Sequence, residues 1–466
     1  MQNHKSIKIK NGMVDVCKDA AALINKKSID EYEIYAVNSI QNEIEIFNSN
    51  VDKLSFSDST GIGIRVFKNG SIGYSYTAIL ESDSIEDCIE KAIINSRITN
   101  SENYNSLPKE SEFIYKQKVI KKELLYRDDI LKYSTADKIE VAKKLEILTK
   151  EKDKRIVSID NLIYEDSLSE VAILNSHGFC DTFKATTSFI YVNAISRQKG
   201  DISTGDYFSY CRSPKDFNLE NIAAEAVKKS VSLLGGKKIK TQRCDLVLEP
   251  LVASQFLGII AGTLTADSVQ KGKSLFKDRI GNKIFTIDLN IFDDGTMPEG
   301  LATAPFDGEG VPGGKTTVFK DGILKTFLYN TYTARKDNKY STGNAARASY
   351  RSTPGVGLSN FYISPSKESN FDKLVKSIDK GFYVSDIIGL HSGTNPISGE
   401  ISVGAKGLWI EKGSLGFPVK EVTIASDILS FCSSIDKIGN DIKFLPSGGY
   451  IGSPSIVIRD IAVGGS

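Results

Sequence analysis

Apolar and polar residues along this chain follow two rhythms, one of period two and one of period 3.6, and the alternation between them sets out the first half. Residues 30–78 read as strands, and Asn69-Gly70 between GIRVF and SIGYSY is the two-residue signal of a tight hairpin. Ile85, Cys88, Ile89, Ala92 and Ile93 then recur at helical spacing, with Asp83 and Glu86 placed as a capping box. The polar stretch 100–129 contains Pro108 and has no sustained period, so it is expected to be a loop. Ile139, Ala142, Leu145 and Leu148 predict a second helix. Strands resume near Arg155, and a turn at 175–178 divides SEVAILN from the run that ends at Arg197. Leu219, Ile222, Ala223, Ala226, Val227 and Leu234 place a third helix on one apolar stripe.

Gly235-Gly236 and the basic segment KKIKTQR interrupt these patterns and suggest a boundary. The expected organisation is an N-terminal mixed domain, 1–236, and a β-rich C-terminal domain, 237–466. The second half is richer in glycine and carries another hairpin signal at Asp321-Gly322. One strongly apolar helix is expected over about 251–265, and strands over SVGAKGLWIEKG, GFPVKEVTIA and SPSIVIRDIAVGG. Because strands and helices do not alternate regularly, the predicted class is α+β. No internal repeat or low-complexity tract is visible.

At 466 residues the chain exceeds one ordinary core, in keeping with two domains. Apolar residues are 40% and charged residues 25%, and 59 basic against 58 acidic side chains leave a formal charge of +1. Nothing in that balance would gather nucleic acid or an anionic membrane, so neither is expected as a partner. MQNHKSIKIKNG lacks the apolar core of a secretory signal, and the longest apolar stretch, near 256–266, is far short of a bilayer span. The six cysteines, Cys17, Cys88, Cys180, Cys211, Cys244 and Cys432, are scattered, as expected of reduced thiols in a cytoplasmic protein.

Several chemical motifs are approached and missed. GEGVPGGKTT ends like a P-loop, but Glu309 stands where the leading glycine belongs, and the segment runs into a predicted strand. His4, His177 and His391 are dispersed and outside any H-E-x-x-H pattern; His391, in GLHSGTNPISGE, is the one placed to contact a ligand. TIDLNIFDDGTMPEG offers Asp288, Asn290, Asp293 and Asp294, but Phe292 breaks the calcium-loop order, and a solvated turn at Asp294-Gly295 is the expectation. No G-x-S-x-G occurs.

The second half nevertheless resembles the TldD/PmbA family along nearly its whole length. FDDGTMPEGLATAPFDGEGVPGGKTTVFKDGILKTFLYNTYTARK is similar to that family's DDGT turn, D-x-E-G segment and (D/N)GIL hairpin. STGNAARASYR resembles its TGN-x-x-R segment. GEISVGAKGLWIEKG, FPVKEVTIAS, Ile438-Gly439-Asn440-Asp441 and the terminal IRDIAVGG resemble its late glycine-bearing strands. STGIGIRVFKNGSIGYSYT in the first half resembles its hairpin.

The resemblance implies a two-subunit zinc metallopeptidase, in which a TldD-type subunit carries H-E-x-x-x-H on a helix and a cysteine near its C-terminus. Aligned with that helix, LVLEPLVASQFLGIIAGTLTAD puts Gly258 and Thr263 at the histidine positions and Ile259 at the glutamate. No cysteine follows Asp441. Glycine and isoleucine offer a metal nothing, and a lone hydroxyl is a poor zinc ligand. The expectation is therefore a metal-free subunit of the PmbA (TldE) type: no catalytic residue, no metal ligand and no cofactor of its own, with zinc in a TldD-type partner and unfolded peptides as substrate. Asn344, Arg347 and Tyr350 are the expected peptide contacts. The competing expectation is a self-associating peptide-binding or regulatory protein, a homodimer that works without a catalytic partner.

Overall fold

The computed structural model describes residues 12–116 and 120–465. The chain opens with helix α1 (Met13–Ile24), strands β1 (Glu31–Phe47), β2 (Asn50–Lys68) and β3 (Ser71–Thr77), and helix α2 (Ser82–Ser96). The same order follows again: α3 (Thr135–Lys152), β4 (Ile156–Asn175), β5 (Cys180–Gln198), β6 (Asp201–Cys211) and α4 (Leu219–Ser232). All six strands form one sheet in the order β3-β2-β1-β4-β5-β6, every neighbouring pair antiparallel. The sheet is thus two copies of one helix–three strands–helix unit, joined back to back along β1 and β4.

This repeat is absent from the sequence expectation, and it is maintained by local chemistry rather than shared residues. Asn69-Gly70 and Lys199-Gly200 turn the matching hairpins, and all four residues have positive φ, as a two-residue turn of the strand-matching hand requires. In β3, Gly73 lies under α2: a Cβ there would stand 1.8 Å from the Ala92 carbonyl oxygen. In β6, Gly205 lies under α4, with a Cβ 2.1 Å from the Ser230 nitrogen. Each glycine lets a helix backbone rest on the sheet. Ile34, Ile62, Ile64 and Ala172 meet α1 and α2 in one core, and Leu162, Ile190, Val192 and Ala194 meet α3 and α4 in another.

Two expectations change here. Asp83 and Glu86 form no capping box, because α2 starts at Ser82 and its N-cap, Glu81, makes no side-chain cap bond. Leu234 lies beyond the end of α4 at Ser232. The N-terminal helix α1 was not anticipated, although Met13, Val16, Cys17, Ala20, Ala21 and Ile24 bury one continuous face.

The second half runs β7 (Gln242–Leu248), α5 (Pro250–Thr263), α6 (Ala266–Gln270), β8 (Ile291–Asp294), β9 (Lys315–Lys320), β10 (Ile323–Leu324), α7 (Thr331–Lys336), β11 (Ala345–Ala346), β12 (Gly355–Val356) and β13 (Asn360–Ile363). It continues through α8 (Phe371–Lys376), β14 (Lys380–Ile388), α9 (Leu390–Gly393), β15 (Glu400–Glu411), β16 (Ser414–Asp427), α10 (Ile428–Ser433), β17 (Ile435–Ile438), β18 (Lys443–Pro446), β19 (Tyr450–Ser453) and β20 (Ile456–Gly464). The class is α+β. One sheet runs β10-β9-β8-β13-β19-β18; another runs β16-β15-β14-β7-β20-β17, and β16 also pairs with β20. Five strands therefore close into a ring, β16-β15-β14-β7-β20. Along β7, Cys244, Leu246 and Leu248 join the large core while Val247 points to a smaller one beneath α8, the period-two split of a strand covered on both faces.

Candidate functional site

Helix α5 follows β7 through Glu249, whose carboxylate accepts from the main-chain nitrogens of Leu251 (2.7 Å) and Val252 (3.4 Å). Pro250 occupies the first helical position, where its missing N–H costs nothing. Lys443 Nζ donates to the other Glu249 oxygen at 3.0 Å, so the cap is also an ion pair. Phe256, Leu257, Ile260 and Ala261 are buried in the core. The opposite stripe, Gln255, Gly258, Ile259 and Gly262, follows helical i, i+3, i+4, i+7 spacing and lines a cavity of about 840 Å3. Ser268 and Lys273, Leu390 and His391 of α9, Ile397 just beyond it, and residues Leu445 to Ser447 complete its wall.

Gly258, Ile259 and Thr263 thus share a cavity with His391, although 128 residues separate His391 from Thr263 (391 − 263). A zinc ion does not fit this set. Gly258 has no side chain, Ile259 presents hydrocarbon, and the Thr263 hydroxyl donates to the Ile260 carbonyl at 2.6 Å. His391 brings a single exposed imidazole. Among the described residues no group of three or more His, Cys, Asp or Glu is arranged to hold a metal ion. His177 sits in the β4–β5 turn, its Nε2 3.0 Å from Glu31 Oε1. His4 lies outside the described residues.

Asn344, Arg347 and Tyr350 lie elsewhere, where the two halves meet. Asn344 and Arg347 border a cavity of about 250 Å3 with Tyr35, Asp307 and Ser359. Their polar atoms are committed within the chain. Asn344 Nδ2 donates to Asp293 Oδ2 (2.7 Å) and to the Gly357 carbonyl (3.0 Å), and its Oδ1 accepts from the Thr342 hydroxyl. Arg347 donates to the Gly308 and Ser352 carbonyls, pairs with Glu33, and lays its guanidinium over the Tyr35 ring. Tyr350 is 2% exposed and crosses the junction to Gly61, while the Tyr74 hydroxyl donates to its carbonyl at 2.6 Å. The acidic segment is not the solvated turn expected: Asp293 and Asp294 are buried at the end of β8, where Asp293 accepts from Ser359 and Asn344, and Asp294 from Thr296.

Sequence reasoning missed the charge cluster at this junction. Glu33 and Arg65 face each other across β1 and β2, and Arg65 also donates to Glu309 Oε1 at 3.2 Å. Glu309 accepts the Thr331 main-chain N–H with its other oxygen. Two charged residues inside the apolar strands EYEIYAV and GIRVF were the available signal, since an isolated buried charge needs a partner. Beside them, Asp307 accepts from the main-chain nitrogens of Glu309, Val311 and Ala345. Burial, followed by the Glu309 carboxylate, pushes the Asp307 carboxyl up to about 8 despite those donors. The folded chain then holds this proton more tightly than the unfolded chain, so stability falls as pH rises from the ordinary carboxylate range towards 8. Thermal midpoints are expected to drop between pH 5 and pH 8, with a smaller drop in Asp307→Asn.

Family comparison agrees with this architecture. Residues 32–96 match a model described as PmbA/TldA metallopeptidase domain 1, 128–234 its central domain, and 241–465 its C-terminal domain. The chain belongs to the TldD/PmbA family. The first two TldD/PmbA stretches fall one in each half of the doubled sheet, and the third spans β7 to β20. A metalloprotease PmbA homolog of Buchnera aphidicola is 26% identical over 94% of this chain and 99% of its own length. A Thermotoga maritima structure, solved as a candidate modulator of a DNA gyrase, superposes with a TM-score of 0.86 at 28% identity, covering 96% of this chain and 99% of that one. TldE from Thermococcus kodakarensis shares the fold with a TM-score of 0.86 at 22% identity, covering 97% and 100%. Among the described residues of this TldD/PmbA member, no helix is long and apolar enough to cross a membrane.

Proposed function

We propose that this chain is the metal-free subunit of a two-subunit TldD/PmbA-type peptidase acting on unfolded peptides in the cytoplasm. The carrying observation is the cavity beside α5, where Gly258, Ile259 and Thr263, the positions that the family resemblance aligns with imidazole and carboxylate, offer a cation at most one hydroxyl. The scaffold around them is intact, with a capped helix and a closed ring of strands behind it. Zinc and its activated water would then come from a TldD-type partner. The similarity to a metalloprotease PmbA homolog over nearly full length supports the family setting of this reading.

Mixing the purified chain with the TldD-type subunit of the same organism tests it. The expected result is co-elution of the two chains, zinc in the joint peak, and peptide hydrolysis above that of either chain alone. A lone, pure chain that retains about one zinc per polypeptide and turns over a test peptide would overturn the proposal. A stable homodimer, unchanged by the partner, would replace it with the self-associating peptide-binding protein.

A further inference from the structure

The cavity beside α5 has a chemistry of its own. At about 840 Å3 it lies within the roughly 300–1,000 Å3 span of pockets that enclose small ligands. One part of its wall is hydrocarbon, from Ile259, Leu390, Ile397 and Leu445. The polar part includes Lys273, His391 and Gln255. Among the described residues none of these three side chains has a hydrogen-bond or ion-pair partner, whereas the Thr263 hydroxyl on the same wall already donates to the Ile260 carbonyl. No Asp or Glu lines the cavity, so the Lys273 ammonium faces no neutralising carboxylate there. An apolar pocket with one uncompensated cation suits an apolar group that ends in an anion. The Gln255 carboxamide adds both a donor and an acceptor, which a peptide bond can use and a fatty acid cannot.

We propose that this cavity binds the C-terminal residue of a peptide, with its side chain against Ile259 and Leu445 and its carboxylate towards Lys273 and His391. The proposal rests on the peptide-handling reading above and assigns the pocket a holding role, with no bond made or broken. The vacated helix face is what makes room for the ligand: a Cβ at Gly258 would meet only ordinary contacts, Ser447 Oγ at 3.4 Å being the nearest.

The test is fluorescence anisotropy on the full chain, with a labelled pentapeptide ending in leucine as the free acid and the same peptide as its C-terminal amide. The free acid is expected to bind at least about tenfold more tightly than the amide, the scale of one charge-assisted contact. Lys273→Met should remove that preference, so that acid and amide bind alike. Gly258→Phe, which fills the cavity, should weaken both, with circular dichroism reporting an intact fold. Equal binding of acid and amide, no saturable binding, or an acid preference that survives Lys273→Met would each overturn the assignment. Co-elution with the TldD-type subunit is scored on the same preparations. Lost selectivity with intact co-elution removes the pocket alone, and retained selectivity without co-elution removes the subunit reading alone.

Discussion

Arg65→Met is expected to destabilise the chain by about 3–5 kcal/mol, the range seen when one member of a buried ion pair is removed. Arg65 lies on β2 opposite Glu33 on β1 and reaches across to Glu309, and the three side chains are 7%, 1% and 3% exposed. Glu33 retains Arg347 after the substitution. Glu309 retains only the Thr331 N–H and, at 3% exposure, has little access to water that could replace the guanidinium. Because Glu309 belongs to the second half, the loss falls on the junction. Thermal or urea unfolding should therefore separate into two phases, the halves losing structure independently. Arg65→Met combined with Glu309→Gln should recover part of the loss, since removing both partners strands no charge. A single-variant midpoint within about 0.5 kcal/mol of the parent, the ordinary scale for a surface change, would show that the cluster does not hold the junction.

The second large effect is expected from Gly205→Val. The atoms nearest a Cβ at this position are the Ser230 nitrogen at 2.1 Å and the Ala226 carbonyl oxygen at 2.6 Å. Both belong to the main chain of α4, so no side-chain rotation relieves the clash, and the helix must lift from the sheet. Overpacking typically costs about 1–3 kcal/mol, and a backbone collision belongs at or above the top of that range. The soluble yield should collapse. Gly73→Val in the other half should do the same through the Ala92 carbonyl. Gly262→Ala on α5, which meets nothing within 4 Å, serves as the control and should be neutral or slightly stabilising. Soluble yield and unfolding midpoint across the three variants decide the matter; a normal Gly205→Val protein would mean that α4 does not rest on β6 as described.

Most local signals carried through to the structure, the Asp83–Glu86 capping box being an exception, and long-range ones did not. Asn69-Gly70 and Asp321-Gly322 encode their turns within two residues, α2 through α4 declare themselves by period within one element, and α5 by its apolar run. The doubled sheet escaped notice because its halves share conformations rather than residue types: one hairpin turns on Asn-Gly and the other on Lys-Gly. The charge cluster depends on pairs 244 residues apart for Arg65 with Glu309, and 314 apart for Arg347 with Glu33, which no local period reports. The same limit explains Arg347 and Tyr350. The sequence shows a glycine-flanked cation and aromatic, and only the fold shows that Arg347 pairs with Glu33 and that Tyr350 packs against Gly61. At the cavity, the family resemblance singled out Gly258, Ile259 and Thr263, but only the fold brings His391 and Leu445 beside that helix.

The ring of strands begins with β7 and ends with β20, which lie side by side, and the Gly465 nitrogen donates to the Thr241 hydroxyl at 3.1 Å. The second half therefore starts and finishes at one place. Joining residues 241 and 465 through a short peptide would stretch little, which is the geometric condition that a circular permutant of the ring requires.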